Sequence, residues 1–258
     1  MPIAKINNID CYYEVHGEGK PLMLIGGLAS DSQTWSLILN RLKHCFKVIV
    51  FDNRGVGRTK DKGAPFDIPA MVKDAIMLLD HLGVENSDIL GHSMGGYIAQ
   101  EIAITNPARV SRLILASTAS STSDRNKKLF QELANVYADD ASYEAFLREF
   151  LPWIFTPKYL KDNMDDLIQF LLAYQYRQSP EDFRRQADAC IKFDSVGRIG
   201  EIRSNTMILS GEKDILIPEE ETDFLSSSIE NAEVKYLPNT AHSLPVESPK
   251  EFAGEICA

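Results

Sequence analysis

The sequence predicts an α/β protein, a doubly wound and mostly parallel sheet with helices on both faces. Short, wholly apolar runs recur along the chain, and stretches of helical spacing separate them. Runs of this kind suit strands buried on both faces of a parallel sheet, and their alternation with helices winds into right-handed βαβ units. The length, 258 residues, allows one large domain of this class, or a core with a smaller insertion.

The first elements form a hairpin. Ile3 to Ile6 and Ile9 to Val15 carry strand formers, and Asn7-Asn8 between them is a turn signal. Six apolar runs follow: PLMLIGG (21–27), KVIVFD (47–52), SDILGHS (87–93), RLILAST (112–118), TMILSG (206–211) and AEVKYLP (232–238). With the hairpin they make eight strands. Helical spacing separates the early runs. Gln33 to Leu42 puts Trp35, Ile38, Leu39 and Leu42 on one face, and Ile68 to Leu82 repeats Met71, Ala75, Leu78, Leu79 and Leu82. A third helix runs from Met94 to Asn106 and stops before Pro107.

The alternation breaks once. Residues 119–200 hold four helical patterns, Arg125 to Tyr137, Ser142 to Phe155, Pro157 to Gln175 and Ser179 to Ile191, with Pro152, Pro157 and Pro180 as punctuation. Trp153 and Phe130, Phe146, Phe150, Phe155, Phe170 and Phe183 fall here. This block reads as a helical cap inserted into a core made of residues 1–118 and 201–258.

Composition narrows the function. Apolar residues make up 44% and charged residues 25%, as in ordinary globular proteins. A formal charge of −10 repels polyanions, so nucleic acid is not an expected partner. No apolar run is long enough to span a bilayer, and the N-terminal MPIAKINNID lacks the apolar core of a secretory signal, so no membrane partner and a cytoplasmic location are expected. Cys11, Cys45, Cys190 and Cys257 form no CxxC pair and no cluster with histidine, so they read as free thiols and no metal is expected.

The chemistry gathers at one junction. Gly91-His92-Ser93-Met94-Gly95 fits G-x-S-x-G and lies between a strand and a helix. There the pattern is a nucleophile elbow: the serine takes a strained backbone, and Gly91 and Gly95 leave room for it. A serine hydroxyl needs a base. His242 follows the last strand, so in a parallel sheet it lies at the same carboxyl edge as Ser93. His16, His44 and His81 lie elsewhere, and His92 must point away from its neighbour, as a packing residue. Asp214, after the strand TMIL, is the carboxylate to orient the base, with Glu212 a weaker stand-in. Two backbone N–H groups should receive an oxyanion: Met94, after the nucleophile, and Leu28, in the glycine-rich loop Gly26-Gly27-Leu28-Ala29-Ser30. FDNRGVGRT (51–59) lacks the lysine of a phosphate loop and reads as a structural turn in which Asp52 and Arg54 pin loops.

With GHSMGG, LMLIGGLAS and the Trp35 after it, FDNRGVGRT, LSGEKD (209–214) and AHSLPVESP (241–249) in this order, the chain resembles the α/β-hydrolase fold family over essentially its whole length. It is most similar to small bacterial carboxylesterases and enol-lactone hydrolases such as 3-oxoadipate enol-lactonase. The resemblance implies a cap over the sheet edge and hydrolysis of a small-molecule ester or lactone through an acyl-enzyme, with no cofactor. Family members often carry His-Gly where this chain has Gly26-Gly27, which bears on the shape of the oxyanion loop and on substrate preference. Dehalogenases and epoxide hydrolases of this fold use an aspartate where Ser93 stands. Serine-based thioesterases, C–C bond hydrolases, perhydrolases and hydroxynitrile lyases share the constellation. So does a slow-turnover protein that binds a small signal and acts through a protein partner.

Overall fold

The computed structural model describes residues 2–258. Eight strands form one sheet: β1 (Ile3–Ile6), β2 (Ile9–His16), β3 (Pro21–Ile25), β4 (Lys47–Phe51), β5 (Ser87–His92), β6 (Val110–Ala116), β7 (Thr206–Gly211) and β8 (Ala232–Leu237), in the order β1-β2-β4-β3-β5-β6-β7-β8. β1 and β2 are antiparallel, β2 runs antiparallel to β4, and the remaining pairs are parallel. This is the α/β-hydrolase arrangement that the sequence predicts.

Strand side chains alternate between the two apolar layers. Leu22, Leu24, Val48 and Val50 face one layer, and Met23, Ile25, Ile49 and Phe51 face the other. α1 (Ser36–Leu42) packs on the first face, entered through a 3-10 turn at Ser32–Trp35. α2 (Ile68–His81) and α3 (Met94–Thr105) pack on the second. Four helices lie between β6 and β7: α4 (Asp124–Val136), α5 (Tyr143–Ile154), α6 (Pro157–Ala173) and α7 (Pro180–Lys192). Ser123, Thr156 and Ser179 cap α4, α6 and α7 by accepting the amides of Asn126, Tyr159 and Asp182, and Pro157 and Pro180 open their helices. Pro152 sits inside α5 rather than at its boundary. It removes one helical hydrogen bond, and the burial of Phe146, Leu147 and Leu151 holds the helix together around it.

α8 (Glu219–Ser228) is the crossover that parallel β7 and β8 require. Its run of acids, with only Thr222 and Leu225 buried, leaves little apolar periodicity to read. α9 (Leu244–Glu247) and α10 (Pro249–Cys257) close the chain against α1.

The expectation of four free thiols is corrected. Cys45, just after α1, and Cys257, at the end of α10, form a disulfide with Cα atoms 6.0 Å apart. The two are 212 residues apart in sequence, so only the packing of α10 on α1 reveals the pair. Cys11 and Cys190 are free and buried. Among the described residues no helix is long and apolar enough to cross a membrane.

Candidate active site

The order of the sheet reverses at β3 and β5, which lie side by side although β4 intervenes in sequence. Ligand crevices of open α/β sheets form at such a point, beyond the carboxyl ends of the strands. Ser93 stands there, between β5 and α3, with φ 54° and ψ −119°. The turn is tight enough that a Cβ on Gly91 would lie 2.1 Å from the Gly95 carbonyl oxygen. One on Gly95 would lie 2.0 Å from that of Ile25. The strained serine is held on both sides: its N–H donates to Ala116 O at 2.9 Å, and Thr118 Oγ1 donates to its carbonyl at 2.8 Å.

Asp214 and His242 are buried and bonded to each other. The Asp214 Oδ1 atom accepts the amides of Leu216 and Ile217 at 3.0 and 2.9 Å, which turns Oδ2 toward His242. His242 Nδ1 donates to Oδ2 at 2.9 Å. That bond fixes the tautomer and leaves Nε2 as the free ring nitrogen. The imidazole loop is pinned from outside the sheet. Ser243 N–H donates to Ile154 O at 2.9 Å, and Glu247 accepts from Ala241 N at 2.7 Å and from Thr156 N and Oγ1. Ser93 and His242 line one cavity. Among the hydrogen bonds of the described residues there is none between the Ser93 hydroxyl and His242.

The loop after β3 runs directly against the elbow: a Cβ on Gly27 would sit 3.1 Å from Ser93 Cβ. Among the described residues no backbone hydrogen bond takes up the N–H of Leu28 or of Met94, the latter at the first position of α3, where helix geometry leaves amides free. His92 does more than fill space. Its Nε2 donates to the His242 carbonyl at 2.9 Å, and burial, with His242 adding to it, lowers its pKa from 6.5 to about 4. It therefore stays neutral beside His242.

The cavity measures about 530 Å³. Ser93 and His242 line it, and Phe130 of α4, Phe146 and Phe150 of α5 and Leu171 of α6 contribute to its apolar wall. Phe146 both lines it and packs on Tyr137 and Phe183, with ring centroids 4.8 Å apart in each pair. The same rings thus serve as helical core and as wall. Among the described residues Arg177 is the one arginine or lysine in the lining, paired with Asp140 at 3.0 Å. Among the described residues no group of histidine, cysteine or acidic side chains could hold a metal ion. Asp52 pins the neighbouring loops through Ser32 N and Arg58 N, while Arg54 is tied to Asp74 of α2.

Three polar residues of this region carry no motif in the sequence. Asp31 accepts a hydrogen bond from Tyr174, and its carboxyl is pushed up chiefly by burial. Gln186 is fully buried and reaches the loop after β3. A signal for it exists: Phe183, Gln186, Ala187 and Cys190 form one helical stripe, in which Gln186 alone is polar.

Fold and site together define a hydrolase of the α/β class. The family model described as alpha/beta hydrolase fold matches residues 20–249, and the chain belongs to that family. A protein of Azorhizobium caulinodans named as the carbamate hydrolase RutD is 25% identical over 256 residues, covering 98% of this chain and 95% of the relative. The enol-lactonase from Burkholderia xenovorans LB400 superposes with a TM-score of 0.90 at 21% identity, covering 99% of this chain and 98% of that one. A thermophilic esterase from Thermogutta terrifontis, solved with malate bound, superposes with a TM-score of 0.89 at 25% identity, covering 99% and 97%. The chain is thus similar to small bacterial esterases and lactonases.

Proposed function

We propose that the protein is a serine hydrolase that cleaves a carboxylic ester or lactone through an acyl-enzyme, with Ser93, His242 and Asp214 as its triad. The observation that carries this is the Asp214–His242 hydrogen bond, set at the same cavity as a serine held at positive φ. Ser93 Oγ attacks the carbonyl carbon while His242 Nε2 takes the hydroxyl proton. Asp214 holds the imidazole and stabilises the imidazolium. The carbonyl oxygen becomes an oxyanion, received by the Leu28 and Met94 amides. As the carbon–oxygen bond to the leaving alcohol breaks, His242 returns the proton to it. Water then repeats the sequence on the acyl-enzyme and releases the acid. The four helices between β6 and β7 act as a cap, and their rings favour an apolar acyl group.

A carbamate carbonyl would be attacked in the same way, and the full-length similarity to proteins named as carbamate hydrolases favours that second reading. The size and apolar wall of the cavity support the larger ester instead. The test is hydrolysis of p-nitrophenyl acetate, butyrate and octanoate, an enol-lactone and an alkyl carbamate by wild type and Ser93→Ala. Turnover of an ester or lactone is expected, with Ser93→Ala lowering kcat by about 10⁴-fold. Preference for the carbamate would select the second reading. Turnover of none of these substrates would move weight to thioester or C–C cleavage, or to a signal-binding protein.

A further inference from the structure

The loop that would supply the Leu28 amide contains an alanine in a backbone conformation that alanine disfavours. Ala29 has φ +60°. Ser30 N–H donates to Gly27 O at 3.2 Å, so residues 27–30 form a turn with Ala29 at its third position. Turns that need positive φ there are normally built with glycine. The consequence for Leu28 is geometric. In a trans peptide the C=O and N–H point in opposite directions. Holding the Gly27 carbonyl inside the turn therefore points the Leu28 N–H out of it. The handedness of Ala29 sets the next peptide, Leu28 C=O with Ala29 N–H: were Ala29 right-handed, that peptide would turn over and the Ala29 N–H would lose its present direction.

A single side chain from another layer holds Ala29. Its N–H donates to Gln186 Oε1 at 3.1 Å, across 157 residues of sequence. Gln186 is fully buried on α7, and its amide cannot flip. Its Nε2 donates to the Arg54 carbonyl at 2.8 Å, so Oε1 must face the loop. Gln178 Nε2 donates to the same Oε1 at 2.9 Å and to Gly55 O at 2.6 Å. The acceptor is thereby polarised and fixed in place. A strained residue persists where its surroundings over-determine it, and this network supplies that.

We propose that Gln186 is a positioning residue for the oxyanion site: by accepting the Ala29 N–H it ties the turn after β3 to α7, and so keeps the neighbouring Leu28 N–H at the oxygen that develops on the substrate. This rests on the serine-hydrolase reading above. It makes the helical segment a part of the catalytic apparatus as well as a wall of the cavity.

The test combines Gln186→Leu, Ala29→Gly, their double variant and Ser93→Ala. The readings are kcat and KM on p-nitrophenyl butyrate and the affinity of phenylboronic acid, whose tetrahedral adduct on serine places an oxygen in the oxyanion site. Gln186→Leu is expected to lower kcat by about 10- to 100-fold with little change in KM, and to weaken the boronic acid in step. Ala29→Gly in that background should leave both losses largely in place, because glycine relieves the positive φ but does not tie the turn to α7. Gln186→Met, of similar volume, carries the same readings if the leucine variant does not fold. A folded variant with unchanged kcat and boronic-acid affinity, or a loss that Ala29→Gly fully relieves, would overturn the assignment. Turnover and boronic-acid binding indifferent to Ser93→Ala would remove the serine mechanism itself, and this role of Gln186 with it.

Discussion

His92 shows how one residue can serve a site without taking part in its chemistry. Its ring lies between Trp35 and His242, with centroids 6.3 and 5.1 Å away, and its Nε2–H holds the main-chain carbonyl of His242. Protonation would put a buried charge there, which is why its pKa falls to about 4. The stability consequence has a definite sign. Above pH 6.5 the ring is neutral whether the chain is folded or not, and it adds no pH dependence. Below 6.5 the unfolded chain takes up a proton that the folded one refuses, so stability falls with falling pH and levels off below about 4. Between pH 7 and 4.5 the loss from this residue is expected to be about 2 to 3 kcal/mol. His92→Gln keeps an N–H donor and removes the titration. Urea unfolding of both chains at the two pH values should show the wild type losing that much more than the variant; equal losses would reject the assignment.

At the scale of elements, the strand–turn–helix from β5 to α3 was legible because its constraints are local. Gly91 and Gly95 are two residues on either side of Ser93, and each is required by a clash with nearby backbone. A Cβ at Gly95 would meet the Ile25 carbonyl, an atom anchored at the end of β3 that cannot swing aside. Gly95→Ala should therefore destabilise the chain by about 2 to 3 kcal/mol. Gly197→Ala, where nothing lies within 4 Å, should unfold in urea close to the wild type. Equal midpoints for the two variants would show that the elbow tolerates a side chain. Asp214 and His242 were likewise readable, because each follows a strand and so falls at the carboxyl edge, where the structure brings them together. Gln186, Tyr174 and Glu247 were not. They act between layers, across 157, 143 and 91 residues, and helical periodicity does not say which polar residue will meet which loop. α8 is hard to read for a related reason: with only Thr222 and Leu225 buried, it carries little apolar periodicity.

At the scale of the whole molecule, the two faces of the sheet are secured differently. The face carrying α2 and α3 continues into the four helices as one large apolar core, whereas the face carrying α1 and α10 rests on a smaller one. α10 buries Phe252, Ala253 and Ile256 in that smaller core, and the Cys45–Cys257 disulfide ties its end to α1. A bond that closes so long a loop removes chain entropy from the unfolded state. Its loss should cost about 2 to 5 kcal/mol, read as the difference in urea unfolding between the oxidised protein and Cys45→Ser/Cys257→Ser. Hydrolytic turnover should be unaffected, because Cys45 stands two residues before β4 and hence at the amino edge of the sheet, opposite the elbow. Thiol titration in denaturant is the direct check. Without reductant it should find Cys11 and Cys190 alone, and with reductant all four cysteines. Four thiols in protein purified from an oxidising medium would reject the bridge. The same titration on protein drawn directly from its native compartment decides the location: two thiols there would place the chain in an oxidising environment, against the cytoplasm that its sequence suggests, and four would mark the bridge as one that forms only after release.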